Sequence, residues 1–124
     1  MKSKTVLIIE DNELNMKLVR SMLQLAHYEI VEAQNAEDGI KLAREHLPNL
    51  ILMDIQLPGI DGLDATGIIK KDRKLAHIPI VALTSYAMQG DEEKAISAGC
   101  TGYIAKPIDT RNFLDILSQY LTQN

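Results

Sequence analysis

The chain has 124 residues, 46% of them hydrophobic and 24% charged, with a net charge of −4 and a single cysteine, Cys100. That is the length of one domain, 1–124, able to bury a core without disulfides or a structural metal. The acidic balance, with no Trp and one Phe, argues against nucleic-acid binding, and the apolar run Val6–Ile9 is too short for a signal peptide or membrane span.

With no internal disulfide possible, a reducing, cytoplasmic location without membrane attachment is expected. In chain order, Val6–Ile9 reads as a fully buried strand, and Asn12 as the cap of a helix with the stripe Leu18, Val19, Met22, Leu25 and Ala26. Glu29–Ala33 is a shorter, weaker strand. Asn35, with Asp38 three residues on, caps a helix whose inner face is Ala36, Ile40, Ala43 and Leu47, closed by Pro48. Leu50–Met53 is a second fully apolar strand. A helix from about Leu63 to Lys71 follows, weakened by Gly67, and its solvated end carries Lys70, Lys71, Arg73 and Lys74. Ile78–Leu83 reads as a strand with Pro79 at its start, where proline is tolerated. The helix expected from Gln89 to Ser97 is charged and the least apolar. Tyr103–Ala105 is a short strand, and Asp109 caps a last helix carrying Phe113, Leu114, Leu117, Tyr120 and Leu121.

Strands alternating with helices imply a doubly wound α/β fold around a five-stranded parallel sheet. The most apolar strands, the first, third and fourth, belong in the centre, because both of their faces are covered. The order 2-1-3-4-5 satisfies this.

In such a sheet, ligands bind beyond the carboxyl ends of the strands, at the switch between strands one and three. Glu10 and Asp11 end strand one, Asp54 ends strand three, Thr84 ends strand four and Lys106 follows strand five. Carboxylates sharing a crevice repel unless one takes a proton or a cation holds them. Hard oxygens of this kind suit Mg²⁺, and Lys106 can balance Asp54. Either Glu10 or Asp11 alone would read as a helix-capping acid. The pair beside Asp54 reads as a site.

These residues resemble a known family: the receiver domains of bacterial two-component response regulators. The carriers are Glu10-Asp11, Asp54 in "MDIQLPGIDG", Thr84 followed by small Ser85, and Lys106-Pro107 in "YIAKPI". The stretches "EDNELNMKL" and "LAHIPIVALTSYAMQGDEEKAISAGC" resemble both single-domain regulators and the C-terminal receivers of hybrid histidine kinases. The resemblance covers essentially the whole chain and implies the flavodoxin-like (βα)5 fold. It implies Asp54 as phosphoacceptor, taking a phosphoryl group from a partner's phosphohistidine. It implies Mg²⁺ ligated by Asp11, Asp54 and the backbone carbonyl of Gln56, with Glu10 acting through a metal-bound water. Lys106 and the Thr84 hydroxyl would contact the phosphoryl oxygens, and the Lys106–Pro107 bond would be cis. Tyr103 occupies the aromatic switch position, although an edge-strand tyrosine also reads as plain packing. Bulk at Gln56 and Tyr86 would shield the acyl phosphate from water.

The implied partners are a histidine kinase or histidine phosphotransfer protein, and a downstream regulatory protein that reads the face of helix 4, strand 5 and helix 5. A monomer or weak dimer is expected. The family implies a signalling protein that assists only its own phosphorylation and dephosphorylation. Other classes fit less well. A Mg²⁺-dependent phosphatase of the haloacid-dehalogenase type needs a second Asp where Gln56 stands, and a flavin carrier needs a phosphate-cradling loop where Glu10-Asp11 would repel phosphate. A receiver fold used purely for interaction is disfavoured by the full set of acid and lysine positions. His27, His46 and His77 lack metal-ligand spacing, Cys100 reads as packing, and the methionines at 16, 22, 53 and 88 read as core or contact residues.

Overall fold

Ten elements alternate along the chain, and the computed structural model describes them over residues 4–57, 59–84 and 91–121. They are β1 (Thr5–Ile9), α1 (Glu13–Leu25), β2 (Glu29–Ala33), α2 (Ala36–His46), β3 (Leu50–Asp54), α3 (Gly62–Lys71), β4 (Ile80–Thr84), α4 (Asp91–Ala98), β5 (Gly102–Ala105) and α5 (Phe113–Leu121). The strands form one parallel sheet in the order β2-β1-β3-β4-β5. β3 and β4 are buried at every position and β1 at all but its first, whereas β2 shows charge to solvent, as edge placement requires.

Alternation within the strands divides the core in two. Leu7, Ile9, Ile51 and Met53 face one way, against Ala36, Ile40 and Ala43 of α2, Ala65 and Ile69 of α3, and Ala95 of α4. Val6, Ile8, Leu50 and Leu52 face the other way, against Met16, Val19, Met22 and Leu23 of α1 and Phe113, Leu117 and Leu121 of α5. Each fully buried Leu or Ile contributes roughly 1.5–3 kcal/mol through transfer from water, so these layers carry most of the stability.

The helix ends follow from local chemistry. Asn12 Oδ1 accepts from Asn15 N–H, Asn35 Oδ1 from Asp38 N–H, and Asp61 Oδ1 from Asp64 N–H, so each side chain satisfies an otherwise orphaned amide. α1 closes with paired bonds, His27 N–H to Gln24 O and Tyr28 N–H to Leu23 O, which put His27 in the left-handed region at φ 63. Lys4 Nζ donates to Leu121 O at 2.6 Å and caps the carbonyl end of α5.

Several expectations change. The buried stripe of α1 is Met16, Val19, Met22 and Leu23, while Leu18 and Leu25 are 38% and 77% exposed. The helix carries two apolar stripes, and the sheet selects the one containing Val19. Leu47 is not part of α2's inner face. It sits past the helix end at φ 46 and is 53% exposed. β4 begins after Pro79, because Ile78 is used in a turn, its N–H bonded to Leu75 O. α5 begins at Phe113, preceded by a turn in which Asp109 Oδ1 accepts from Arg111 N–H and Asp109 O from Phe113 N–H. Of the basic cluster, Lys70 is not a free solvated charge. Its Nζ donates to Ala76 O and Ile78 O and fixes the α3–β4 connection. The expected start of the fourth helix at Gln89, with Ser85, Tyr86 and Met88, lies outside the described residues.

Leu47 allows a direct test. A non-glycine residue in the left-handed region costs on the order of 1–2 kcal/mol, part of which glycine's greater unfolded-state freedom cancels. Leu47→Gly should therefore raise unfolding stability by roughly 0.5–1 kcal/mol, read as a higher urea midpoint at unchanged slope. A lower midpoint would mean that the covered half of the Leu47 side chain outweighs the strain.

Candidate functional site

Three connections leave the carboxyl edge of the sheet side by side, and each is pinned by a backbone bond to its neighbour. Glu10 N–H bonds Ala33 O, Ile55 N–H bonds Leu83 O, and Lys106 N–H bonds Thr84 O. These bonds carry the register one residue beyond the strands, so Glu10, Asp54 and Lys106 reach a common point. Lys106 Nζ lies 2.5 Å from Glu10 Oε1 and 3.1 Å from Asp54 Oδ2. Gln56 N–H donates to the other Asp54 oxygen, Oδ1, at 2.8 Å.

The cluster is nearly dry. Glu10 is 1% exposed and Asp54 4%, and the Lys106 side chain is 9% exposed. Burial, reinforced by the hydrogen bond with Asp54 and opposed by Lys106, pushes the Glu10 carboxyl up to about 7. Burial pulls Asp54 the same way, but hydrogen bonds from Glu10 and Gln56 N–H, with the charge of Lys106, bring it below its ordinary value. Burial likewise works against the Lys106 charge, and the two acids more than restore it. At neutral pH, then, Asp54 is the ionised acid, Glu10 shares a proton with the cluster, and Lys106 is a cation. Asp11 stands at the exposed rim, and one carboxylate oxygen from each of Glu10, Asp11 and Asp54 lies within 4.8 Å of the others.

Thr84 is fully buried at the end of β4, level with Ala105, one residue short of Lys106. Tyr103 pairs with Ala82 on the same face and packs half-buried against the α2–α4 layer. Between Thr84 and Tyr103 that face carries only the methyl groups of Ala82 and Ala105. The Lys106–Pro107 bond is cis.

The profile of the response regulator receiver domain matches residues 6–118. The chain belongs to the response regulator receiver domain family. It is 49% identical over 118 residues to the polar-differentiation response regulator DivK of Brucella anthropi, covering 95% of this chain and 96% of that one. Among solved structures it is similar to the receiver domain of a Pseudomonas aeruginosa sensor histidine kinase, which holds a magnesium ion in its active-site cleft. That likeness has a TM-score of 0.90 at 31% identity, over 98% of this chain and 99% of the other. A CheY-like receiver domain protein of Methanospirillum hungatei matches at a TM-score of 0.90 and 26% identity, over 98% and 96% of the two chains. The flavodoxin-like order found here is thus that of a receiver domain.

Two features of this receiver site were not read from the sequence. The Glu10–Lys106 contact is one, since sequence reasoning paired Lys106 with Asp54 alone. The other is Gly62. It begins α3 and packs so closely that a Cβ would overlap the Asp54 carbonyl and the Ile55 backbone. Gly62 N–H bonds Ile55 O, and Thr66 Oγ1 returns a bond to Gly62 O. The glycine closing "PGIDG", one residue after the helix cap Asp61, was the available signal. Elsewhere, His27, His46 and His77 are exposed at helix or turn ends, and Cys100 is buried with its Sγ 3.7 Å from Thr66 Oγ1. Burial pushes that thiol up, which makes it inert.

Proposed function

We propose that the chain is a stand-alone cytoplasmic phosphorelay regulator that accepts a phosphoryl group on Asp54. The observation that carries this is the dry Glu10–Asp54–Lys106 cluster, in which one buried carboxylate is kept ionised beside a cation. An oxygen of Asp54 attacks phosphorus, an O–P bond forms, and the N–P bond of the donor's phosphohistidine breaks with the imidazole as leaving group. Gln56 N–H holds Oδ1 and Lys106 holds Oδ2, so the carboxylate is aimed before the donor arrives. As negative charge moves onto the phosphoryl oxygens, Lys106 follows it.

The donor set fits Mg²⁺: oxygens only, from Glu10, Asp11 and Asp54, at the rim of a cluster short of positive charge. Asp11 and Asp54, with the Gln56 carbonyl, would hold the ion, and Glu10 would act through water. Bound there, it would neutralise charge on the phosphoryl group in transfer. The position two residues beyond Asp54 is Gln56 rather than a second acid, which supports a signalling role over turnover of phosphate esters.

The donor is a histidine kinase or phosphotransfer protein, and the output partner reads α4, β5 and α5. Thr84 is drawn toward the phosphoryl group, and Tyr103 turns into the space over Ala82 and Ala105. This shifts the population between two packings of one fold.

Acetyl phosphate with Mg²⁺ should add one phosphoryl group to the intact chain, and no adduct would defeat the reading. Asp11→Ala should abolish both that adduct and the Mg²⁺-dependent rise in melting temperature. An unchanged thermal shift would remove Asp11 from the ligand set. The Glu10 carboxyl titrates at about 7, so Mg²⁺ must displace its proton at lower pH. Affinity for Mg²⁺ should be level above pH 7 and fall below it, by about tenfold between pH 8 and pH 6, read from Mg²⁺ titrations at the two pH values.

A further inference from the structure

We propose that the amino edge of the sheet, where α2 and α3 end, docks an acidic segment of a partner protein that inserts one apolar side chain beside Leu47. Residues 41–49 and 70–77 hold six Lys or Arg against Glu45 and Asp72, a net +4. The whole chain is at −4, so everything else stands at −8. The two segments form one surface, because Arg44 Nε, in the last turn of α2, pairs with Asp72 Oδ2 at the end of α3 at 3.0 Å. Helix dipoles favour cations in last turns, which accounts for Arg44 and Lys71, and Lys70 is engaged by Ala76 O and Ile78 O. Arg73 and Lys74 lie beyond α3, both exposed, and neither account covers them.

Between the two segments lies a cavity of about 80 Å³, lined by Leu47, Pro48, Asn49, His77, Ile78 and Pro79. Pro48, Ile78 and Pro79 are buried and form its floor, while Leu47 and His77 are exposed and form its rim. It has room for one small aliphatic side chain. Leu47 is the unusual residue. Its φ of 46 suits glycine or asparagine, and a leucine there holds a large apolar side chain 53% exposed. A strained backbone that displays an apolar side chain at the mouth of a cavity is an anchor for something outside the chain.

Charge and range select the occupant. Screening limits the reach of an exposed charge to roughly 10 Å. A short acidic segment laid across this edge therefore meets the +4 and little of the −8. A broad anionic surface, such as a membrane or a long nucleic acid, meets both. A second copy could offer its acidic pole only head to tail, which builds open chains rather than a closed pair. The edge also lies a strand away from the acceptor. The cavity precedes β3 and β4, whereas Asp54 ends β3, about 13 Å further along. A segment held here leaves the acceptor crevice open, so docking does not depend on phosphorylation of Asp54.

The probe is a labelled peptide of Asp and Glu around a single Leu, followed by fluorescence anisotropy on the full chain. It should bind with a Kd on the order of 0.1 mM at low salt, and weaken about tenfold as salt rises from roughly 50 to roughly 300 mM. Replacing its Leu by Ser should weaken it about tenfold. Arg73→Glu combined with Lys74→Glu should abolish binding with unchanged circular dichroism and unchanged phosphoryl uptake. Leu47→Gly should bind about tenfold less although it is the more stable protein, a pairing that a purely structural role would not produce. Amide shifts should move in residues 41–49 and 71–79, equally with and without beryllofluoride. No binding, binding that survives the double charge reversal, or shifts centred on residues 91–121 would each overturn the proposal. So would tighter binding of phosphatidylglycerol vesicles or a DNA duplex than of the peptide. A peptide-free chain whose mass rises with concentration, and falls back in the double variant, would overturn it in favour of a second copy.

Discussion

Asp54→Asn is expected to take up no phosphoryl group from acetyl phosphate and Mg²⁺, while remaining folded. Three acids share the crevice, so the choice among them has to be argued. Glu10 is pinned to Lys106 and is still partly protonated in the neutral range, which makes it the weaker candidate. Asp11 lies exposed at the rim, one residue beyond Glu10, and no cation among the described residues fixes its direction. Asp54 alone is buried, held below its ordinary value and gripped at both oxygens. An asparagine there still offers an oxygen to Gln56 N–H but has no nucleophilic carboxylate. Lys106 keeps Glu10, so the lost ion pair should cost no more than about 1 kcal/mol, because the paired acid recovers part of its charge. Intact mass after incubation, with a urea melt alongside, reads both parts. An adduct retained by Asp54→Asn would move the acceptor to a neighbouring acid.

Much of this site was readable because its residues end strands. A run such as "ILMD" places an acid at a predictable edge once the sheet order is known, and the order followed from which runs were fully apolar. What could not be read was anything decided by packing choice. α1 has two apolar stripes, and only its packing against the sheet, with Val19 fully buried, tells which is inside. Leu47 continues the helical period of α2, yet Pro48 forces the chain out of the helix there. Gly62 drew no reading from the sequence, and it is a close approach of α3 to the strand end bearing Asp54. Contacts across the site, such as Lys106 on Glu10, depend on ångström-level register between loops 96 residues apart.

Removing Lys106 should have the larger effect on the unphosphorylated protein. It is the cation that Glu10 and Asp54 share, and the pair is almost wholly withdrawn from water. Breaking a buried charge pair by deleting one partner costs about 3–5 kcal/mol, a value that protonation of the remaining acids holds near the lower end. Lys106→Met should therefore lose about 3 kcal/mol at pH 8 without metal. The pH dependence has a definite sign. Without the ammonium, the folded-state carboxyls titrate above their ordinary values near 4, while the unfolded ones do not. The folded state then binds more protons, so stability is fullest at low pH and falls as pH rises through the raised values. The loss should be small at pH 5 and largest at pH 8. Mg²⁺ at ten times its Kd should restore about 1.4 kcal/mol by mass action, because the ion replaces the missing charge. The variant should accept a phosphoryl group slowly, since Asp54 and the metal ligands remain. Its amide shifts in residues 91–105 should no longer respond to beryllofluoride if, as proposed, Lys106 is the group that draws the β5 end toward the phosphoryl oxygens. Urea melts at the two pH values test the electrostatic part. A normal amide response in Lys106→Met would separate the conformational switch from Lys106 and leave it with Thr84 alone.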